Sequence, residues 1–230
     1  MVQPSSYRWL WCWLLAGLLL VGCGSEAPTA ADDTLSTQAT ISAQTSLAGQ
    51  AEDLPQLTGP AVVIMTIEGQ PIEIAIDGEH APITAGNFID LVERGVYNGL
   101  IFHRVVRAPD FSIAQGGDPQ VIDPNVPRER WGTGSFVDPE TGRPRFIPLE
   151  TSPELTHKRG AIAMARSSMP NSASSQFYFT ANAIPALDGQ YAVFGYVTEG
   201  LEVVDGIEVG DRIDSVIVVE GLENLQQPDE

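Results

Sequence analysis

Cysteine is nearly absent from this 230-residue chain: Cys12 and Cys23, both close to the N-terminus, are its only two. Cys12 lies inside an apolar run and is expected to leave with it, and Cys23 to be consumed by modification. The folded part then has no disulfide, no thiol chemistry and no thiolate metal site. Cations are also scarce, with 12 Lys and Arg against 30 Asp and Glu and a formal net charge of −18. Nucleic acid needs a cationic face and anionic lipid a polybasic one, so neither is an expected partner of the folded part. The acidic excess reads as solubility and low non-specific sticking. The three histidines are scattered: His80 and His157 are isolated, with no ligand spacing, and His103 sits in a strand-like run. Gly116-Gly117 lacks the lysine and spacing of a phosphate loop, so a tight backbone turn is the better reading. Ser174-Ser175 has neither a glycine elbow nor an obvious partner histidine, so no nucleophile–base pair is evident. No internal repeat is visible.

Long apolar runs are missing as well. Trp9 to Val21 is apolar, but about a dozen residues are too few to span a bilayer comfortably. With Arg8 before it and Leu20-Val21-Gly22-Cys23 at its end, it resembles a bacterial lipoprotein signal. That resemblance implies a signal peptide over 1–22, lipid on Cys23, and a cell-envelope protein exported and held on a bacterial membrane by its N-terminal lipid. Residues 23–58 read as a flexible tether, because Ser, Thr, Ala, Asp and Gln cannot bury enough surface to offset their ordering entropy. A domain over 59–222 and a tail over 223–230 complete the layout.

Within the domain, Ala61 to Ile67 is a β-branched run, Glu68-Gly69-Gln70-Pro71 a turn, and Ile72 to Asp77 alternates apolar with polar. This spacing predicts a hairpin with one wet face. Pro82 suits the first turn of a helix with Phe88, Leu91 and Val92 on its inner face, Asp90 and Glu93 outside, and Gly95 as its stop. Further strands are expected at 101–106, 111–115, 160–165, 175–180, 191–198 and 212–219, with a short helix near 200–207. Such a pattern fits a β-barrel or sandwich covered by helices. Residues 119–158 carry seven prolines and are too long for a plain connection, so a structured surface loop or insertion is expected.

The motifs narrow this. Phe102-His103-Arg104, Gln115-Gly116-Gly117-Asp118, Ala163-Met164-Ala165, Asn171-Ser172, Ser175-Gln176-Phe177, Leu187-Asp188-Gly189 and Val193-Phe194-Gly195 occur in that order. Together they resemble the cyclophilin-type peptidyl-prolyl cis-trans isomerases over roughly Ala61 to Gly221. The resemblance implies a mainly β fold, a closed antiparallel eight-stranded β-barrel capped by two α-helices. It implies catalysis by Arg104, with Gln115 orienting it or binding the substrate carbonyl. Ile113, Tyr178, Leu187 and Phe111 would form the proline pocket, with Ala165, Arg166 and Gln176 beside the peptide and Tyr191 at the rim. The implied partners are proline-containing polypeptides, with no cofactor and no metal; the charge balance excludes nucleic acid, and a monomer is expected. His103 is read as structural, since on an alternating strand it faces away from Arg104.

Three departures from the family pattern bear on the pocket. The spacing of Arg104 and Gln115 is wider than in compact members, with the extra residues falling at Arg107-Ala108-Pro109-Asp110 and expected to enlarge a loop. Where the family usually has an aromatic, three before the glutamine, stands Ser112. Either the wall is lost or Phe111 supplies it; parity favours Phe111, which would share a strand face with Ile113 and Gln115. Ala186 stands where tryptophan or phenylalanine is frequent. The alternative function is a proline-peptide binding module or holdase with little turnover. A hydrolase built on Asp118, Asp123 and Asp138 is a third reading, although these fit solvated turn residues better.

Overall fold

The computed structural model describes residues 53–228. The signal segment, Cys23 and most of the expected tether lie outside them. The described part is built on one eight-stranded antiparallel sheet, from β2 (Pro60–Ile67), β3 (Gln70–Asp77), β4 (Arg104–Ala108), β5 (Phe111–Gly116), β6 (Ala161–Met164), β7 (Phe177–Thr180), β8 (Val193–Glu199) and β9 (Ile213–Glu220). Their order across the sheet is β4-β5-β7-β6-β8-β3-β2-β9. Two helices accompany it, α1 (Pro82–Glu93) and α2 (Leu201–Gly206).

The expected closure of the barrel is not a strand ladder: the sheet ends at β4 on one side and β9 on the other. The two ends meet between the segment before β4 and the start of β9, where Phe102 N–H donates to Asp211 O and Ile213 N–H to Leu100 O, at 2.9 and 2.8 Å. Beyond that point the end of α2 faces β4 instead. The Arg107 guanidinium donates to the carbonyls of Val204, Asp205 and Ile207.

Alternation sets the core. Val63, Met65 and Ile67 of β2 and Ile72, Ile74 and Ile76 of β3 point inward and are all but fully buried, as period-2 patterning requires. Phe88 of α1 lies 5.0 Å from Phe194 and 5.8 Å, edge-on, from Phe177. These offset and edge contacts are the favoured aromatic geometries.

Helix α1 has almost no wet side. Residues Thr84 to Val92 are all buried, including Asp90, which the helical spacing had placed outside. The covering elements come from far along the chain. A two-residue strand β1 (Gln56–Leu57) pairs with β10 (Leu225–Gln226), so the fold extends into the expected tether and tail. A Cβ on Gly86 would lie 2.4 Å from the Pro55 carbonyl oxygen, so only glycine lets this pair sit on the helix. Asp90 is neutralised in place by Arg94 at 2.9 Å, Arg145 at 2.5 Å and the Gln227 amide at 3.0 Å.

The 119–158 stretch is structured, as expected. Phe136, Ile147 and Leu155 anchor it in the core. It also supplies the cap that α1 lacks: Ala81 makes no side-chain cap bond, and Glu150 accepts the N–H groups of Ile83 and Thr84 at 3.2 and 2.8 Å. A carboxylate at an N-terminus satisfies orphan donors and complements the helix dipole. Among the described residues no helix is long and apolar enough to cross a membrane.

Candidate active site

Strand register sets the geometry of the site. Arg104 on β4 pairs directly with Gln115 on β5, and Gln115 with Tyr178 on β7. Residues paired across antiparallel strands share a face, so these three side chains form one transverse row. Ala108 pairs with Phe111, leaving Pro109-Asp110 as a two-residue turn. The extra residues therefore lengthen the hairpin and do not enlarge its loop, contrary to the expectation. The added length is what carries Arg107 to the end of α2.

A cavity of about 160 Å³ opens on this face, lined by Arg104, Phe111, Ile113, Gln115, Ala165, Arg166, Tyr178, Leu187 and Tyr191. Drug-sized ligands occupy roughly 300–1,000 Å³, so this space suits a single small ring. Phe111, Ile113, Tyr178 and Leu187 make its apolar wall. Ser112 turns to the other face of β5, where its hydroxyl donates to Val106 O and its N–H to Asn182 Oδ1. Of the residues expected at the site, Gln176 alone does not line this cavity. It lies beside it, in an adjoining groove of about 540 Å³ that shares Gln115, Ala165 and Arg166 with the cavity.

Arg104 is exposed, and its Nη1 donates to Gln115 Oε1 at 3.2 Å. Gln115 Nε2 donates to Gln176 Oε1 at 3.0 Å, and Gln176 Nε2 to Gly134 O at 2.8 Å. The polarity of this relay is forced. A guanidinium only donates and a carbonyl only accepts, so both amides between them can face one way only. Asp118 holds the far end. It is fully buried, not a solvated turn residue as expected, and accepts N–H groups from Gln120, Gly132 and Gly134 at 2.8, 2.6 and 3.2 Å. A Cβ on Gly134 would lie 2.0 Å from Asp118 Oδ1, so glycine is required there.

A second set of bonds lies behind the cavity. His157 is 1 % exposed; its Nδ1 is 2.8 Å from Asp188 Oδ1 and its Nε2 is 2.9 Å from the Tyr178 hydroxyl. A carboxylate can only accept, so Nδ1 carries the proton and Nε2 accepts from Tyr178. Burial pushes the His157 pKa below its ordinary value, against the pull of Asp188. Burial also raises the Tyr178 hydroxyl, keeping it a neutral donor. Burial works upward on Asp188 too, but the His157 bonds outweigh it and hold the carboxyl low. Tyr191 packs edge-on against Tyr178 at 6.0 Å, and the Arg166 guanidinium lies 4.6 Å above the Tyr191 ring.

Sequence reading placed none of His157, Asp188, Asp118 and Gly134 in this site: Asp118 was expected as a solvated turn residue and His157 as an isolated histidine, whereas His157 is buried between Asp188 and Tyr178. Asp118 and Asp188 stood inside quoted motifs, while His157 had no spacing to signal its contact with Tyr178. His103 lies against Gly132, with its ring nitrogens buried and without partners among the described residues. Burial lowers its pKa, as suits a structural residue. Among the described residues no His, Cys, Asp and Glu cluster could hold a metal ion.

Residues 62–223 match the family described as cyclophilin type peptidyl-prolyl cis-trans isomerase/CLD, and the chain belongs to that family. It is 40% identical over 204 residues, 75% of this chain and 50% of the relative, to a protein of Synechocystis sp. named as a thylakoid lumen peptidyl-prolyl cis-trans isomerase. It is 37% identical over 154 residues, 67% of this chain and 71% of the relative, to peptidyl-prolyl cis-trans isomerase A of Dickeya dadantii. The fold matches a Cryptosporidium parvum cyclophilin crystallised in the presence of the dipeptide Ala-Pro, with TM-score 0.57 and 26% identity over 69% of this chain and 99% of that one. The chain spans about half the length of the Synechocystis relative.

Proposed function

We propose that the chain is a peptidyl-prolyl cis-trans isomerase in which Arg104 lowers the barrier. One observation carries the reading: a guanidinium held by Gln115 at the mouth of an apolar, ring-sized cavity. Rotation about a peptide bond has a barrier of ~18–20 kcal/mol, which an X-Pro bond crosses unaided in roughly tens to hundreds of seconds. At the top of the barrier amide resonance is lost and the prolyl nitrogen becomes a better acceptor. A donor aimed at that nitrogen binds the twisted state better than either planar one. Removing ~4 kcal/mol speeds rotation about a thousandfold. The proline ring would sit against Phe111, Ile113, Tyr178 and Leu187, and Gln115 would keep Arg104 in line.

The substrates proposed are exported, proline-containing polypeptides, and the enzyme works as a monomer without cofactor. The Leu20-Val21-Gly22-Cys23 pattern supports lipidation at Cys23 and anchorage in the cell envelope, and the lumenal relative supports export. Cys23→Ser should release the protein from membranes; retention of the variant in the membrane fraction, without bound lipid, rejects the anchor.

Isomerisation of a short X-Pro peptide, followed by exchange NMR, tests the activity. Arg104→Ala is expected to lower kcat/KM by about 10²–10³, the usual loss for a donor acting on the transition state. Equal rates in the two proteins would end the catalytic reading and leave a proline-peptide binding module.

A further inference from the structure

We infer that Arg166 selects peptides carrying an acidic side chain within two residues of the proline. The inference rests on the isomerase reading of the cavity and adds a substrate class to it. In a chain with a net charge of −18, the residues lining the cavity and the adjoining groove include two arginines and no acid. Arg94, Arg145, Arg159 and Arg212 are all paired with carboxylates. Arg104, Arg166, Arg107, Arg128, Arg130 and Arg143 have no carboxylate ion pair among the described residues, and of these six Arg104 and Arg166 line the cavity or the groove. Arg104 is committed to the reacting bond; Arg166 is not.

Arg166 is also held ready. Its Nε and Nη2 donate to Gln190 O at 2.9 and 2.7 Å, and its Nη1 to Ser167 O at 2.9 Å. Its guanidinium carbon lies over the Tyr191 ring. A guanidinium has five N–H donors, so two remain for a ligand. Because the fork is already fixed, little side-chain entropy is lost when a carboxylate docks. Asp188, the acid of the adjoining turn, is directed at His157. Arg166 borders both the cavity and the groove. Any peptide whose proline fills the first and whose chain continues into the second must pass it.

The test uses the full-length chain in a neutral detergent and acetylated, amidated pentapeptides with one proline. Glu, Ala or Lys is placed in turn at each of the two positions on either side of that proline. Exchange NMR reads isomerisation, and amide shifts of the labelled protein read Kd. Exposed ion pairs are worth roughly 0.2–1 kcal/mol, and Lys is repelled where Glu is attracted. The best Glu peptide should therefore exceed its Lys counterpart about fivefold in kcat/KM. The ratio should approach one in 1 M salt, where the screening length is about 3 Å. Arg166→Glu should invert the order and Arg166→Lys keep it. Equal Glu and Lys values at every position, or an unchanged order in Arg166→Glu, overturns the inference while leaving the isomerase standing. If no peptide is accelerated, the isomerase reading falls, and the Kd ratio still decides the charge preference. Should Arg166→Glu not fold, Arg166→Gln decides: a ratio near one supports the inference, and an unchanged ratio overturns it.

Discussion

Replacing Gln176 with methionine removes both polar ends of one relay member while keeping a chain of similar length. Two hydrogen bonds are lost, the 3.0 Å bond from Gln115 and the 2.8 Å bond to Gly134 O. Gln176 is 8 % exposed and Gly134 is buried, so water does not simply replace them. An orphaned buried carbonyl costs about 1–3 kcal/mol, and the second lost bond about 1 kcal/mol. The stability of the variant should fall by about 2–4 kcal/mol, a drop in Tm of roughly 5–12 °C for a domain of this size.

The effect on activity has a different origin. With no acceptor beyond it, the Gln115 Nε2 is left without a partner and the amide is held only by its bond from Arg104. Released rotamer freedom of up to ~1.5–2 kcal/mol also opposes the productive pose. Together these should lower kcat/KM about five- to tenfold, equivalent to ~1–1.4 kcal/mol. Exchange NMR on an X-Pro peptide and thermal melting, run on the same samples, separate the two effects. A variant that melts lower but keeps kcat/KM within about twofold of wild type would show that the relay does not position Arg104, and the reasoning fails.

Two further predictions follow from the same structure. Glu150→Ala should cost about 1 kcal/mol, the usual value of a lost N-cap, and should speed amide exchange at Ile83 and Thr84, which bond to it; unchanged exchange at both would mean that the helix is capped otherwise. Burial lowers the pKa of His103 and His157 below the ordinary value. As pH falls from about 7.5 to 5.5, past the ordinary histidine value of about 6.5, the unfolded chain takes up protons that the native state refuses, and stability is lost. Two groups work in the opposite sense: the hydrogen bond to Asp77 raises His80, and burial raises Glu150. The Tm advantage of wild type over His157→Gln isolates one histidine and should shrink across that interval; a constant or growing advantage would mean that His157 is protonated in the fold.

Much of the sheet was legible because its residues carry their own period. Ile72, Ile74 and Ile76 alternate with Glu73 and Ala75, and the burial of β3 follows that alternation. Pro82 marked the start of α1 within the first turn. What stayed hidden depends on partners distant in sequence. Two-residue strands such as β1 and β10 have no period, and their register (Gln56 with Gln226) joins opposite ends of the domain. Asp90 read as an outer residue from its place on the helix, and partners distant in sequence, Arg145 and Gln227, join Arg94 in satisfying it where it is buried. In the site, parity gave Phe111, Ile113 and Gln115 one face, and these three meet at the cavity. The length of the β4–β5 hairpin was misjudged because Pro109-Asp110 closes it in two residues, whereas a longer insertion reads most simply as a longer loop.

The 119–158 stretch links these strands of argument. Just before it, Asp118 gathers the Gly132 and Gly134 N–H groups, and Gly134 returns its carbonyl to Gln176. Toward its far end, Glu150 closes the N-terminus of α1. Without its carbonyl acceptor the relay would keep its polarity from the donor end at Arg104, but Gln176 Nε2 would be left without a partner and its side chain less firmly held against Gln115. The orientation of Gln115 toward Arg104 follows from the donor-only guanidinium, and the loop steadies it through Gln176. Buried polar chains of this kind are favourable only when every member is satisfied. That requirement explains why a segment rich in proline and charge is ordered here: its backbone completes hydrogen bonds that the sheet alone leaves open.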